Sequence, residues 1–140
     1  MRREDDLPAR FAQIVADGGP PLNAKGGLSA RHTHKVQRFL GENFSRKLSL
    51  AEIAAVCGLS PYHFTRAFSK TFGLSPYQYV LALRLDLAEK LLAESSMPIT
   101  DIADASGFSS QSHFTTTMKK YRHATPQQIR ARQARLRSQE

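Results

Sequence analysis

Apolar residues recur at helical spacing from Leu50 onward and predict a short helix there. Four small or apolar residues fall at positions i, i+3, i+4 and i+7 of one face: Leu50, Ile53, Ala54 and Cys57. Ser49 with Glu52 three residues later predicts the helix start through a capping box, and Gly58 predicts a left-handed end. Ser60 followed by Pro61 predicts a second helix start. Two helices joined by a tight glycine turn are typical of a helix-turn-helix.

The second of these helices has one apolar and one polar face. The apolar face, which we expect to be buried, consists of Phe64, Ala67, Phe68, Thr71 and Phe72. The polar face consists of Tyr62, Thr65, Arg66 and Ser69. Such side chains can hydrogen-bond base edges or phosphates, so this face is a candidate nucleic-acid contact. From this helix alone, a polar face that meets only water is an equal alternative.

Three further helices are predicted by the same patterning. The first runs from about residue 31 to 43, with Val36, Phe39 and Leu40 inward, and the last begins near Thr125. The longest is predicted for residues 76–94, about 28 Å, with these residues on or beside its buried side: Tyr79, Val80, Leu83, Leu87, Ala88, Leu91 and Leu92. Glycine and proline clusters within residues 17–27 predict a flexible N-terminal arm or linker over residues 1–30.

The helix-turn-helix pattern then repeats. Residues 99–109 copy residues 50–60 at an offset of 49, and one inserted residue shifts the offset to 50. The copied apolar face is Phe114, Thr117 and Met118, and the copied polar face is Ser112, Thr115, Thr116 and Lys119. Because packing alone does not require two copies of one two-helix unit, the repeat strongly favours nucleic-acid binding.

The charge balance points to a polyanionic partner. The chain has 20 Lys and Arg against 12 Asp and Glu, a net charge of +8, and the whole excess lies in residues 31–140. No apolar run is long enough to span a membrane, and the acidic N-terminus does not resemble a signal peptide, so we expect a cytoplasmic protein. Cys57 is the only cysteine, which excludes an internal disulfide and fits a reducing compartment.

The sequence offers no arrangement typical of an enzyme or a metal site. It has no glycine-rich phosphate loop and no Ser/His/Asp constellation on a suitable scaffold. His32 and His34 are two residues apart, so on a helix they diverge, and no third ligand accompanies them. We therefore expect no catalytic residue, no metal and no cofactor.

The residues resemble the DNA-binding domain of AraC/XylS-family transcription regulators from about Val36 to Arg130. The resemblance rests on LSLAEIAAVCGLSPYHFTRAFSK, GLSPYQYVLALRLDLAEKLL, PITDIADASGFSSQSHFTTTMKKY and ATPQQIR. It implies an all-α, homeodomain-like fold of about seven helices, with two helix-turn-helix subdomains joined by a long helix. The implied divisions are a domain over residues 31–135, helix-turn-helix motifs at about 50–72 and 99–121, a linker helix at about 76–94, and a tail at 136–140.

The resemblance implies sequence-specific binding to double-stranded DNA, with two recognition helices in successive major grooves. The DNA-binding candidates are Tyr62, His63, Thr65, Arg66, Ser69, Lys70, Gln111, Ser112, His113, Thr115, Thr116, Lys119 and Lys120. The family also implies contact with RNA polymerase and, for many members, activation, while the residues leave activation and repression both open. The oligomeric state stays open. Because one chain contains two linked helix-turn-helix subdomains, a monomer could bind an asymmetric site.

The chain departs from the family pattern at two places. Thr116 stands where the family often has arginine, so we expect the second recognition helix (the second reading helix) to contact fewer bases or to contribute less affinity. Arg122 and His123 replace the usual Phe-Gly, which makes Arg122 a candidate phosphate contact. These departures, together with the short region before residue 31, leave open a second function: a protein-interaction module that antagonises another regulator or a sigma factor.

Overall fold

The computed structural model describes residues 26–139, and all regular structure in that range is helical. The helices are α1 Ala30–Asn43, α2 Leu50–Val56, α3 Pro61–Phe72, α4 Pro76–Glu94, α5 Ile99–Ser106, α6 Gln111–Arg122 and α7 Pro126–Ser138. The all-α prediction with about seven helices is confirmed. Most of the predicted arm over residues 1–30 lies outside the described residues, but the prediction is wrong for its end: Leu28 is buried and α1 begins at Ala30.

Side-chain caps start most of these helices where the sequence predicts them. Ser49 Oγ accepts the Glu52 amide at 3.1 Å, and Ser60 Oγ accepts the His63 amide at 3.2 Å. The predicted capping box at α2 is only half formed, because the Glu52 carboxylate pairs with the Arg46 guanidinium. That hydrogen bond lowers the pKa of the Glu52 carboxyl below its usual range.

The chain divides into two compact units, with the division between Leu83 and Arg84 inside α4. In the first unit (residues 26–83), the predicted apolar face of α3 is buried except at Ala67, which is half-buried, and Phe68 stacks on Phe72 with ring centroids 4.4 Å apart. Leu50 departs further from the predicted burial, since 42% of it is exposed. It is the first residue of a helix of 7 residues and follows the exposed stretch 45–47, so it lies before the part of α2 that reaches the core.

The second unit (residues 84–139) has the same kind of core. Phe114, Thr117 and Met118 are buried as predicted, and the Phe108 and Phe114 ring centroids lie 5.0 Å apart. Arg122 is 17% exposed; its Nε donates to Glu89 Oε1 at 2.8 Å and its Nη2 to Asp86 Oδ1 at 3.2 Å. The expectation that Arg122 faces phosphate is therefore wrong, because two carboxylates of α4 already hold its guanidinium.

The long helix α4 is buried differently from the prediction. Tyr79, Val80, Ala88 and Leu92 are buried as expected, but Leu83, Leu87 and Leu91 are only half-buried. Four consecutive residues, 79–82, are buried, so α4 is covered on all sides there and has no single apolar stripe to predict. No helix of the described residues combines the length and apolar character that a membrane span requires.

Candidate nucleic-acid interface

The outward face of α3 carries an arginine held against a tyrosine. Tyr62 is 65% exposed, and Arg66 Nη1 donates to the Tyr62 hydroxyl at 2.8 Å. The Arg66 guanidinium carbon also lies 5.6 Å from the centroid of the Tyr62 ring, within cation–π range. Thr65 and Ser69 lie half-buried on the same helix. The fold therefore keeps a charged, planar donor group on the exposed side of α3.

Two other predicted residues of α3 lie at its ends. His63 is exposed, and its Nδ1 lies 2.7 Å from Ser60 Oγ, which ties the imidazole to the start of the helix. Lys70 is exposed in the last turn, and its side chain folds over Gly26: a Cβ at Gly26 would lie 2.8 Å from Lys70 Nζ. The His63 ring also meets the Tyr62 ring edge-on, with centroids 5.6 Å apart, so His63 contacts the Arg66–Tyr62 pair.

The outward face of α6 is polar without an arginine at its centre. Four predicted residues line one open depression of about 350 Å³: Gln111, Ser112, Thr115 and Thr116. Gln111 Oε1 accepts a hydrogen bond from Thr100 Oγ1 at 2.7 Å, so the first residue of α6 is tied to the start of α5. Hydroxyl and amide groups thus dominate the surface that α6 presents.

The remaining predicted residues of α6 differ in accessibility. His113 is half-buried; its ring meets the Phe108 ring edge-on at 5.4 Å, and its Nδ1 lies 3.3 Å from Ser109 Oγ. Lys119 and Lys120 are exposed, and Lys120 Nζ lies 5.2 Å from the Tyr121 ring centroid. The lysines are free to meet a partner, whereas the packing of His113 restricts its ring.

Both recognition-helix candidates have a positive charge balance. Neither α3 nor α6 contains an acidic residue, and the last turns carry Lys70 in α3 and Lys119, Lys120 and Arg122 in α6. With Arg122 neutralised by its two carboxylates, the exposed cations are Arg66 and Lys70 on α3 and Lys119 and Lys120 on α6. A polyanion would be attracted to each helix.

One feature beside α3 is not predicted from the sequence. A pocket of about 400 Å³ is lined by the segment 26–29 and His32 on one part, and by His63, Arg66 and Lys70 on another. These residues are more than 30 positions apart along the chain, so no local motif could have grouped them. Ser29 Oγ accepts the His32 amide at 3.1 Å and caps the start of α1 next to this segment.

The surroundings of Cys57 and of the histidine pair of α1 bear on nucleophilic and metal chemistry. Cys57 is buried, its Sγ lies 3.8 Å from the His32 carbonyl oxygen, and burial raises the pKa of its thiol. A raised pKa keeps the thiol protonated and weakly nucleophilic at neutral pH. Within residues 26–139, no three His, Cys, Asp or Glu side chains come together as a metal site would require.

Comparison with known proteins identifies relatives of the same architecture. A family model described as "Helix-turn-helix domain" matches residues 53–132. The probable transcriptional regulator LumQ of Photobacterium leiognathi is 35% identical over 91 residues, which cover 65% of this chain and 37% of that protein. The bifunctional transcriptional activator/DNA repair enzyme AdaA of Bacillus subtilis is 34% identical over 95 residues, which cover 68% and 45%. The chain thus spans less than half the length of these two curated relatives.

A solved structure agrees with them. The crystal structure of a transcriptional regulator from Chromobacterium violaceum, described among AraC-type DNA-binding domain-containing proteins, is 34% identical with a TM-score of 0.68. The match covers 74% of this chain and 93% of that one. With the repeated helix pair, the family match and this structure in agreement, the chain belongs to the AraC/XylS family of helix-turn-helix transcription regulators.

Proposed function

We propose that the chain regulates transcription by binding double-stranded DNA in a sequence-specific manner, with α3 and α6 each entering a major groove. The observation that carries this proposal is the repeat: two copies of one helix pair each present an exposed, polar face without acidic residues. A solvated polar face of either helix would not need to recur at the matched positions. The relatives named as transcriptional regulators support the same function.

The residue types divide into base-reading and phosphate-binding groups. We assign Arg66 to O6 and N7 of guanine, which one guanidinium can bond together, and Gln111 to adenine, which a side-chain amide can pair with. Shorter donors and acceptors surround Arg66 and Gln111. They are Tyr62, Thr65 and Ser69 on α3, and Ser112, Thr115 and Thr116 on α6. Lys70, Lys119 and Lys120 are assigned to phosphates, and His63 and His113 to the edges of each contact.

The two helices α3 and α6 would enter successive major grooves on one face of the duplex. Adjacent major grooves on that face lie about 34 Å apart, and α4, with 19 residues, spans about 28 Å. Affinity would come mostly from phosphate contacts, so it should fall steeply with salt. A single chain carries both reading helices and can bind an asymmetric site as a monomer.

Other parts of the proposal follow from the family. We expect activation through contact with RNA polymerase, action in the cytoplasm, and no enzymatic activity from this chain. The relative AdaA is named as a DNA repair enzyme as well as an activator. In this chain the only cysteine, Cys57, is buried with a raised thiol pKa, which argues against a comparable nucleophile in these residues.

Selection of duplexes from a random pool by the purified chain tests the function. We expect an enriched site with two parts about 10–11 base pairs apart, one for each reading helix. A chain carrying both Arg66→Ala and Gln111→Ala should enrich neither part, whereas Lys90→Ala, an exposed change on α4, should select the same site. Recovery of DNA only through an added partner protein, without an enriched sequence, would overturn the proposal and favour the protein-interaction module.

A further inference from the structure

The pocket beside α3 has a fixed wall. Leu28 is 4% exposed, and its amide donates to Thr71 Oγ1 at 2.7 Å, so the segment 26–29 is anchored on the recognition helix. The volume of about 400 Å³ is within the range of small-ligand sites, large enough for a phosphoryl group with a sugar attached. The wall is built from residues that precede the family match at residue 53.

The charge of the pocket is positive. Lys70 folds over Gly26 at one edge, Arg66 adds a second cation, and His32 and His63 supply imidazole donors. Among residues 26–139, no acidic side chain lines the pocket. A small anion entering it would replace the water around Lys70 with ion pairing and hydrogen bonds, which are stronger when the donor is charged.

We propose that this pocket is a binding site for a phosphoryl group on a sugar-sized body, with Lys70 as its principal ligand and His32 as a second contact from α1. This inference rests on the proposed function, because the expected source of the group is a backbone phosphate of the bound duplex. A free sugar phosphate has the same chemistry and is the second source. It would bind close to Arg66, the proposed base-reading residue, and would thereby compete with DNA.

Titration with phosphate tests the pocket without DNA. Backbone amide NMR shifts of residues 26–32 and 63–70 are followed with inorganic phosphate and with 2-deoxyribose 5-phosphate, against chloride at equal ionic strength. We expect saturable shifts, tighter binding of the sugar phosphate, and at least fivefold weaker binding in Lys70→Gln and in His32→Gln. The matched controls are Lys90→Gln and His34→Gln, exposed residues outside the pocket, which should bind like the unmodified chain. Absent shifts, or equal binding by all four variants, would overturn the site.

DNA binding then identifies the source. If the phosphoryl group belongs to the duplex, Lys70→Gln and His32→Gln should each weaken binding, and Lys70→Gln should lower the salt slope by about 1. If the phosphoryl group instead belongs to a free sugar phosphate, His32→Gln should leave DNA binding unchanged and 2-deoxyribose 5-phosphate should displace the duplex. A chain that binds no DNA under any condition would refute the proposed function. The phosphate titration would still show whether the pocket binds a phosphoryl group.

Discussion

The two helix pairs have the same arrangement of helices, but the end of the second helix in each pair is held to α4 by different chemistry. At the end of α3, Phe72 lies in a group of rings, 4.4 Å from Phe68 and 5.1 Å from Tyr79 between centroids. At the matched position of α6, Arg122 pairs with Asp86 and Glu89. The same backbone element is thus held to its neighbouring part of α4 by apolar contact in one pair and by charge in the other. A repeat in sequence preserves the helices without preserving how they are anchored.

The reading faces of the two pairs also differ. The first has Arg66 held on the Tyr62 ring, whereas the second has Thr116 at the matched position and presents hydroxyl and amide groups. The interior differs too: Cys57 is matched by Ser106, whose hydroxyl is the buried side-chain polar atom without a partner among the described residues. The second pair is therefore the more polar of the two at this interior position, whereas its reading face lacks the central arginine of the first.

The largest expected effect comes from emptying the matched core positions, Phe68 and Met118, which are both fully buried. Phe68→Ala should cost about 3–5 kcal/mol of unfolding free energy, and Met118→Ala about 2–4, because Phe68 packs against more rings and leaves the larger cavity. Amide hydrogen exchange, read separately for residues 26–83 and 84–139, measures both losses. Equal losses would show that the aromatic group adds nothing to the first pair.

The reading faces are compared by Arg66→Ala and Thr116→Ala. Arg66→Ala should weaken binding to the selected site by about 1–3 kcal/mol with little loss on random DNA, since a guanidinium bonds two guanine acceptors. Thr116→Ala should cost less, and Thr116→Arg should increase affinity. Titrations with specific and random duplexes at one salt concentration measure the difference. If Arg66→Ala weakens both duplexes equally, Arg66 contacts phosphate instead of a base.

The charged anchor is tested by Arg122→Ala. Because the group is partly exposed, we expect a loss of about 1–2 kcal/mol at pH 7, between the values for surface and buried pairs. Burial raises the pKa of Asp86 and Arg122 lowers it, so removing Arg122 raises that pKa further. A carboxyl with a raised pKa destabilises the fold only when ionised, so the loss should shrink as pH falls towards the ordinary aspartate range.

Urea unfolding at several pH values measures that loss. Arg38→Ala is the control, because Arg38 pairs with Glu42 on an exposed helix face and should contribute under about 0.5 kcal/mol. A loss in Arg122→Ala that is constant down to pH 4 would refute the ion-pair account of the second anchor.

The smallest expected effect concerns the residues that end the two recognition helices. Gly73 has φ 73° and His123 has φ 62°, both left-handed, a region that glycine enters without strain. His123→Gly should gain up to about 0.5–1 kcal/mol, and Gly73→Ala should lose about 1. No atom lies within 4 Å of a Cβ built at Gly73, so that loss would come from the backbone alone. Melting temperatures measure both, and a stabilised Gly73→Ala would contradict the backbone explanation.

Local patterns predicted the helices well, because each start is fixed by neighbouring residues. Ser60 and Pro61 placed α3 correctly, and the repeat then placed α5 and α6. The partners of Arg122 and the lining of the pocket beside α3 could not be predicted, because both depend on side chains that meet across more than 30 residues. The DNA contacts of the thirteen candidate residues stay a prediction, although the structure shows which of them are exposed.

The hydrogen bond from Arg66 to the Tyr62 hydroxyl has a consequence for recognition affinity. A long side chain that is already restrained in the unbound protein loses less conformational entropy when it meets a base. Tyr62 thereby restrains the Arg66 guanidinium in the unbound protein. An approaching duplex meets an arginine that already lies along the helix surface. Discrimination by the first helix should accordingly depend on a residue that need not touch any base itself.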